Sequence, residues 1–376
     1  MVGRSRAAGA WARILAPVDA AALRAEFPGL ADRAYLNAGT CGPLPSAALR
    51  AAREVLERAG AEGRTTAYFE AQNELRTRQR AAYAQRLGAD TADVALTTGT
   101  SEGVVRVLRG LGLAKGDEVL TAPDEHPGLL GPLATLCRRD GIHVRTAPFG
   151  ELAGAVGPRT RLVACSHVSW VTGAVRPEEL GTDDGLPVLL DGAQGVGAIP
   201  VDVAALGCAF YAGAGQKWLC GPVGTGLLWI APAWAERLEP LGATFGNLAD
   251  PGRGLEAALH PDARRHDAAA LPAEASAAAV AAHDVLAAAG WAAVHARARS
   301  LAAALAERLR EAGRRVAPRG ETTLVAWEDP DPPATRDRLA AGGVVVRDLP
   351  GTPYVRASVG AWNDEDDLDR LLAGLD

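Results

Sequence analysis

Lysine is almost absent from this chain of 376 residues. Only Lys115 and Lys217 are lysines among its 39 basic residues, and all the others are arginines. Arginine serves well at a solvated surface, but its guanidinium stays protonated and cannot form an imine with a carbonyl group. A lysine that such a sequence keeps is therefore a candidate for chemistry, with a solvated surface lysine as the alternative.

Cysteine and long apolar runs are also scarce. The five cysteines are widely spaced and contain no CxxC pair, so they indicate reduced thiols rather than a disulfide framework or a metal site. No apolar run approaches the roughly 18 uncharged residues of a membrane span, and arginines interrupt the N-terminal stretch where a signal peptide would need an apolar core. We predict a cytoplasmic protein without a membrane contact.

A basic surface is missing as well. The net charge is −6, and the arginines alternate with acids instead of clustering. Such a surface offers no positive field for a phosphate backbone, so we do not expect nucleic acid as a partner. The length and the 48% of hydrophobic residues indicate about two domains with a sizeable core.

Seven short apolar runs between about residues 93 and 230 alternate with helical stretches. Several are apolar on both faces, as strands of a helix-covered parallel sheet are. The runs are DVALTTG, DEVLTAP, HVRTAPF, RLVACSH, PVLLDGA, CAFYAGA and TGLLWIA. We predict an α/β domain with a mostly parallel sheet covered by helices over residues 46–255.

The pattern changes from about residue 271. Two long Ala/Leu/Arg helices come first, and three short strands and a last helix follow them. We assign residues 256–376, together with residues 1–45, to a smaller α+β domain. The first forty residues are expected to pack on that domain or to line the cleft.

Lys217 follows the predicted strand CAFYAGA, and Asp191 ends the predicted strand VLLD. Open α/β sheets bind their ligands at the carboxyl ends of the strands. A carbonyl cofactor on Lys217 needs a carboxylate to hold a protonated pyridine nitrogen, and Asp191 is placed to supply it. The alternative for Asp191 is a helix N-cap.

A phosphate site is indicated by TTGTSEGVVRVLRGLGL, where Thr100 and Ser101 precede a helical pattern. Backbone amides at a helix start bind anions, although an empty cap with Glu102 in the first turn fits the pattern too. The stretch GAQGVG after VLLD is a weak dinucleotide fingerprint because its glycine spacing is wrong.

These stretches together resemble the class V aminotransferase superfamily of pyridoxal-phosphate enzymes, which includes cysteine desulfurases and isopenicillin N epimerase-like proteins. The similarity covers most of the chain. It rests on YLNAGTCGPLP, TTGTSEG, DEHPG, SHVSWVTGAV, LLDGAQGVGAIPVDV, GQKWLCGPVGTGLLW and VRASVGAWNDEDDLDRL, which occur in the family's order.

The resemblance implies fold type I, a bound pyridoxal 5′-phosphate and a homodimer. In this family Lys217 would form the Schiff base, Asp191 would pair with the pyridine nitrogen, and His126 would stack on the ring. Gln194 would lie near the phenolic oxygen. The remaining implied contacts are Thr100 and Ser101 to the phosphate and Arg356 to the substrate α-carboxylate. Taken alone, a single histidine or a strand arginine is more often structural.

The departures from the family pattern bear on the reaction. The family often has Ser-x-His-Lys at the lysine, whereas Ala214 and Gln216 stand here, and of these two only Gln216 can donate to a phosphate. Trp170 occupies the place of a common cofactor-facing asparagine. The segment VVRDLPGTPYVR lacks the cysteine that a desulfurase needs, so persulfide formation is disfavoured, and Cys41 is read as a packed thiol.

We therefore expect an enzyme that acts on an α-amino acid through an external aldimine. A C–S lyase or related amino-acid lyase is favoured, with an aminotransferase or an epimerase as alternatives. From other classes, a catalytically silent cofactor-binding regulator and a nucleotide-dependent oxidoreductase stay open, and an absorbance scan separates the latter.

Overall fold

The computed structural model describes residues 18–181 and 185–375. A seven-stranded sheet forms its centre, and all seven predicted apolar runs supply its strands. The strands are β2 (Val94–Thr97), β3 (Glu118–Thr121), β4 (His143–Thr146), β5 (Thr160–Ser166), β6 (Val188–Asp191), β7 (Phe210–Ala214) and β8 (Gly226–Ile230). Their spatial order is β2-β8-β7-β6-β5-β3-β4. Strand β8 runs in the opposite direction to the other six, which are all parallel to one another.

Helices cover both faces of this sheet, which is why its strands lack a polar face, except for the more exposed edge strand β4. The helices in this part of the chain are α2 (Ser46–Glu62), α3 (Thr66–Leu87), α4 (Thr100–Gly110), α5 (Pro127–Asp140), α6 (Val203–Leu206) and α7 (Ala273–Ala288). Phe210 and Ala212 of β7 belong to a core with α4 and α5, whereas Tyr211 belongs to the core that includes α3 and α7. The predicted helix-covered, mostly parallel α/β sheet is confirmed.

A second, smaller set of strands packs around its own core. It comprises β9 (Leu324–Glu328), β11 (Arg347–Asp348) and β12 (Tyr354–Ser358) in an antiparallel sheet, with the pair β1 (Ala34–Tyr35) and β10 (Val344–Val345) beside it. The helices here are α1 (Ala20–Ala25), α8 (Trp291–Glu311), α9 (Pro332–Ala341) and α10 (Glu365–Ala373). Leu305, Trp327 and Val355 are fully buried between these elements.

One predicted strand divides in two. The run GGVVVRD forms β10 and β11, because Val344 and Val345 pair in parallel with β1, whereas Arg347 and Asp348 pair with β12. The chain thus changes partner at Val346, a switch that periodicity does not reveal.

The predicted division of the chain at residues 255/256 stays a prediction. Helix α7, which belongs to the predicted smaller domain, packs against α2 and α3 of the larger one. Strands β1 and β10 pair with each other within the predicted smaller domain. Residues 1–17 of the predicted smaller domain lie outside the described residues.

Within the described ranges no single helix has the length and hydropathy of a membrane span. Helices α7 and α8 meet that criterion only as a pair, and they are bent by 80° to each other.

Candidate active site

Lys217 follows β7 on a loop that the backbone closes tightly. The amide N–H of Gly215 donates to the carbonyl of Thr225 (2.8 Å), and that of Gly221 donates to the carbonyl of Gly215 (2.9 Å). A Cβ placed on Gly42 would lie 2.0 Å from the Lys217 carbonyl oxygen, so the N-terminal loop rests directly on the lysine loop. These contacts fix where the lysine side chain leaves the sheet.

Asp191 ends β6, the strand next to β7, so its carboxylate and the Lys217 amine meet at the carboxyl edge of the sheet. The carboxylate is 6% exposed, and its Oδ1 accepts the amide N–H of Ala193 (3.0 Å). Burial lowers the pKa of Lys217 to about 8, an effect that Asp191 opposes and Arg356 reinforces. A substantial fraction of this amine is therefore neutral near physiological pH.

His126 forms one wall of the same space. It is the N-cap of α5, and its Nδ1 accepts the amide N–H of Gly128 (3.0 Å). Burial, followed by the charge of Lys217, lowers the pKa of this imidazole, which favours the neutral ring. The ring of Trp170 stands edge-on to it, with the two centroids 5.1 Å apart and the planes at 85°.

The start of α4 carries polar atoms without protein partners. The Thr100 hydroxyl and the Gln216 Oε1 are buried without a hydrogen-bond partner, whereas Ser101 is exposed in the cavity. The amide N–H of Thr98 donates to the Glu102 carboxylate (2.6 Å), which removes that amide from the set of free donors. The helix start thus offers an anion site that the protein itself leaves unfilled.

Gln194 is held on both sides of its amide. Its Oε1 accepts the indole N–H of Trp218 (2.9 Å), and its Nε2 donates to the carbonyl of Gly39 (2.7 Å). The side chain is 3% exposed and lines the cavity. One N–H of the amide is left for a ligand oxygen.

Arg356 is 1% exposed and forms no salt bridge with a carboxylate in the described ranges. Its guanidinium donates to the carbonyl of Trp170, and its Nε has no partner. Burial and the neighbouring Arg347 lower its pKa to about 9. An unpaired buried cation is costly, so this side chain is suited to an anionic ligand.

These elements enclose a cavity of about 330 Å³. It brings together every residue predicted for the site: Thr100, Ser101, His126, Asp191, Gln194, Gln216, Lys217 and Arg356. No group of three or more His, Cys, Asp or Glu side chains among the described residues is arranged to hold a metal ion.

Arg347, which is not among the predicted site residues, also lines the cavity. It faces Arg356 across the antiparallel pair β11–β12, and it donates to the Thr40 hydroxyl (3.2 Å). The sequence feature that indicates Arg347 as a site residue is the hairpin VVRDLPGTPYVR, in which two arginines flank a turn.

Fold and cavity together define a pyridoxal-phosphate enzyme of fold type I. The family model described as aminotransferase class-V matches residues 34–371, and the chain belongs to this family. It is 29% identical to isopenicillin N epimerase of Streptomyces clavuligerus over 91% of this chain and 94% of that protein. It is also 34% identical to a probable cysteine desulfurase of Methanothermobacter thermautotrophicus over 62% of each chain.

Solved structures extend the likeness. The cystine C–S lyase C-DES, in complex with its reaction product cysteine persulfide, superposes with a TM-score of 0.88 at 27% identity, covering 93% of this chain and 98% of that one. A C-DES mutant with glycine covalently linked to its cofactor gives the same TM-score and identity over 94% of this chain.

The residues present fit the cofactor pyridoxal 5′-phosphate. The buried, unpartnered Thr100 hydroxyl can donate to a phosphate, and the neutral His126 ring offers a flat wall. Lys217 supplies an amine of lowered pKa next to the Asp191 carboxylate. The expected cofactor therefore matches the donors that the protein leaves without partners.

Proposed function

We propose that this enzyme is a C–S lyase, or a related amino-acid lyase, that acts on S-substituted cysteines. The observation that carries the proposal is the hairpin from Arg347 to Arg356, which reaches the cavity but contains no cysteine. Sulfur chemistry then has no thiol on this hairpin to accept sulfur, so a sulfur leaving group must depart by elimination. The likeness to a cystine C–S lyase over nearly all of that chain supports this reading.

The proposed substrate contacts follow from charge. The Arg356 guanidinium would bind the α-carboxylate with two parallel hydrogen bonds, since its buried Nε lacks a protein partner. Lys217, with a pKa of about 8, is suited to remove the α-proton as a neutral amine and then, as an ammonium, to donate a proton to the departing sulfur. Both side chains line the same cavity, which supports the proposal that the base and the carboxylate site act on one substrate.

The proposed cofactor contacts divide among the other residues. When bound, pyridoxal phosphate supplies an electron sink for the α-carbanion. Asp191 would hold its pyridine nitrogen protonated, His126 would cover the ring, and Gln194 would donate to the phenolic oxygen. Thr100, Ser101 and Gln216 would bind the phosphate.

Two other reactions share the first proton transfer and are kept as candidates. Epimerisation is favoured by the match to isopenicillin N epimerase over nearly the full length of both chains. Transamination is favoured by the family to which the chain belongs. Homodimer formation and a cytoplasmic location stay predictions.

The deciding experiment measures pyruvate from S-substituted cysteines without any 2-oxo acid. An elimination enzyme regenerates its cofactor in each cycle, so we expect sustained release of pyruvate, ammonia and a thiol. A burst of one equivalent that resumes only when a 2-oxo acid is added would reject the lyase in favour of an aminotransferase. Persulfide formed on Cys41 would overturn both.

A further inference from the structure

A buried tyrosine and histidine meet beneath the loop that carries Asp191 and Gln194. Tyr211 lies on β7 with no solvent exposure, and His167 follows β5 with 3%. The Tyr211 hydroxyl is 3.0 Å from His167 Nδ1 and 3.5 Å from the carbonyl oxygen of Gly192. Neither residue lines the cavity, so neither is explained by ligand contact.

The loop rests on this pair at two glycines. A Cβ at Gly192 would lie 2.0 Å from Cε1 of the Tyr211 ring. A Cβ at Gly195 would lie 2.5 Å from both the Tyr211 hydroxyl oxygen and His167 Nδ1. Any side chain at either position would lift the loop, which explains glycines that match no dinucleotide fingerprint.

The backbone ties the same loop to the strands on either side. The amide N–H of His167 donates to the carbonyl of Asp191 (2.8 Å), and the amide N–H of Gly192 donates to the carbonyl of Ala212 (2.7 Å). The hydroxyl–imidazole pair fills the space below these two anchors. The Tyr211 and His167 side chains thus contact the segment directly after Asp191, at Gly192 and Gly195.

The contact is polar but uncharged. Burial, followed by the charge of Arg176, lowers the pKa of His167 to about 4, so the ring is neutral near physiological pH. Burial also raises the pKa of Tyr211 well above its ordinary value. A neutral pair holds the loop without adding a charge that would compete with Asp191.

We propose that Tyr211 and His167 are positioning residues that set the Asp191 carboxylate, and with it Gln194, against the cofactor. The inference rests on the proposed role of Asp191. Removing the hydroxyl leaves His167 Nδ1 without its buried partner and frees the loop to shift. The expected consequence is a change in the protonation behaviour of the cofactor, which a merely structural defect would not produce.

The test uses Tyr211→Phe in the holoenzyme, with the cofactor absorbance followed against pH and the dissociation constant of the cofactor measured. We expect the absorbance midpoint to move towards that of Asp191→Asn and the dissociation constant to rise about tenfold, the effect of one lost hydrogen bond. His167→Asn, whose amide can replace Nδ1, is expected to keep the wild-type midpoint, whereas His167→Leu shifts it. Tyr68→Phe removes the same atom from a half-buried position on helix α3, away from the cavity, and serves as the control.

The double variant separates the possible failures. If Tyr211 acts through Asp191, then Tyr211→Phe combined with Asp191→Asn shifts the midpoint no further than Asp191→Asn alone. A wild-type titration in Asp191→Asn would refute the proposed role of Asp191 and the inference with it. An altered titration in Asp191→Asn beside a wild-type one in Tyr211→Phe and His167→Leu, with only a lower unfolding midpoint, would show the pair to be structural and overturn the inference alone.

Discussion

At the scale of single residues, the two lysines differ as the composition suggests. Lys115 is exposed ahead of β3, whereas Lys217 faces the cavity beside Asp191. Arginine could replace the first without a chemical consequence, but not the second. The lowered pKa of Lys217 arises mainly from burial and makes it the better nucleophile of the two.

Reconstitution of the apoprotein is predicted to follow the Lys217 pKa. The neutral amine attacks the cofactor aldehyde, so the rate should rise with pH around a midpoint of about 8 rather than the ordinary 10.5. Arg356→Met removes a cation that lowers this pKa, and we expect the midpoint to move upwards. Stopped-flow absorbance from pH 6.5 to 10 measures it, and a wild-type rate that still rises steeply at pH 10 without reaching a midpoint would contradict the assigned environment.

Arg356→Lys is predicted to impair substrate binding and spare the cofactor. A lysine cannot replace the bidentate contact, and losing it should cost about 2 to 5 kcal/mol of transition-state stabilisation. We expect kcat/KM for the amino acid to fall accordingly while cofactor content stays normal. Arg315→Lys, an exposed arginine paired with Glu328, is the matched control. Near-wild-type activity, or loss of cofactor, in Arg356→Lys would remove the proposed role.

At the scale of elements, the start of α4 is predicted to contribute to cofactor affinity. Thr100→Val keeps the shape of the side chain and removes the buried, unpartnered hydroxyl proposed to bind the phosphate. A hydrogen bond to a charged group contributes about 1.5 to 3 kcal/mol, so cofactor affinity should fall about 10- to 100-fold. Equilibrium dialysis measures this, with Thr135→Val on α5 as the control; equal affinities would show that the hydroxyl does not meet the phosphate.

Elements with a regular pattern were predictable from the sequence, and those that depend on distant partners were not. The strand ends carrying Asp191 and Lys217 follow from apolar runs, because local periodicity determines them. The division of GGVVVRD at Val346 depends on pairing with β1, some 310 residues away along the chain. Arg347 enters the cavity only through that pairing and its register with Arg356.

At the scale of the whole molecule, the site is assembled from segments far apart in sequence. The loop after β1 touches the lysine loop through Gly42 and the Gln194 amide through Gly39. The pair Tyr211 and His167 lies beneath the loop that carries Asp191 and Gln194. Packing of this kind leaves no periodic signal, which is why sequence patterns located Asp191 and Lys217 but not the residues that support them.

Acid sensitivity is predicted to come from buried histidines. Burial lowers the pKa of His167, His266 and His295 to about 4, whereas an unfolded chain protonates histidine at its ordinary value of 6.5. Their contribution is therefore fully present above pH 6.5 and is lost as the pH falls towards 4. Each histidine should lower the free energy of unfolding by about 1.4 kcal/mol per pH unit in that window.

Urea unfolding of the holoenzyme between pH 7.5 and 4.5 measures this slope. His295→Gln should flatten it by the contribution of one histidine, since the replacement does not titrate. An unchanged slope in that variant would show that His295 is protonated equally in the folded and unfolded states.

The central claim is that Lys217 carries the cofactor, and the near absence of lysine makes its test direct. Borohydride reduction of the purified holoenzyme, followed by peptide mapping, should place the reduced cofactor on the peptide containing Lys217 and leave Lys115 unmodified. The adduct on Lys115, or on neither lysine, would contradict the account.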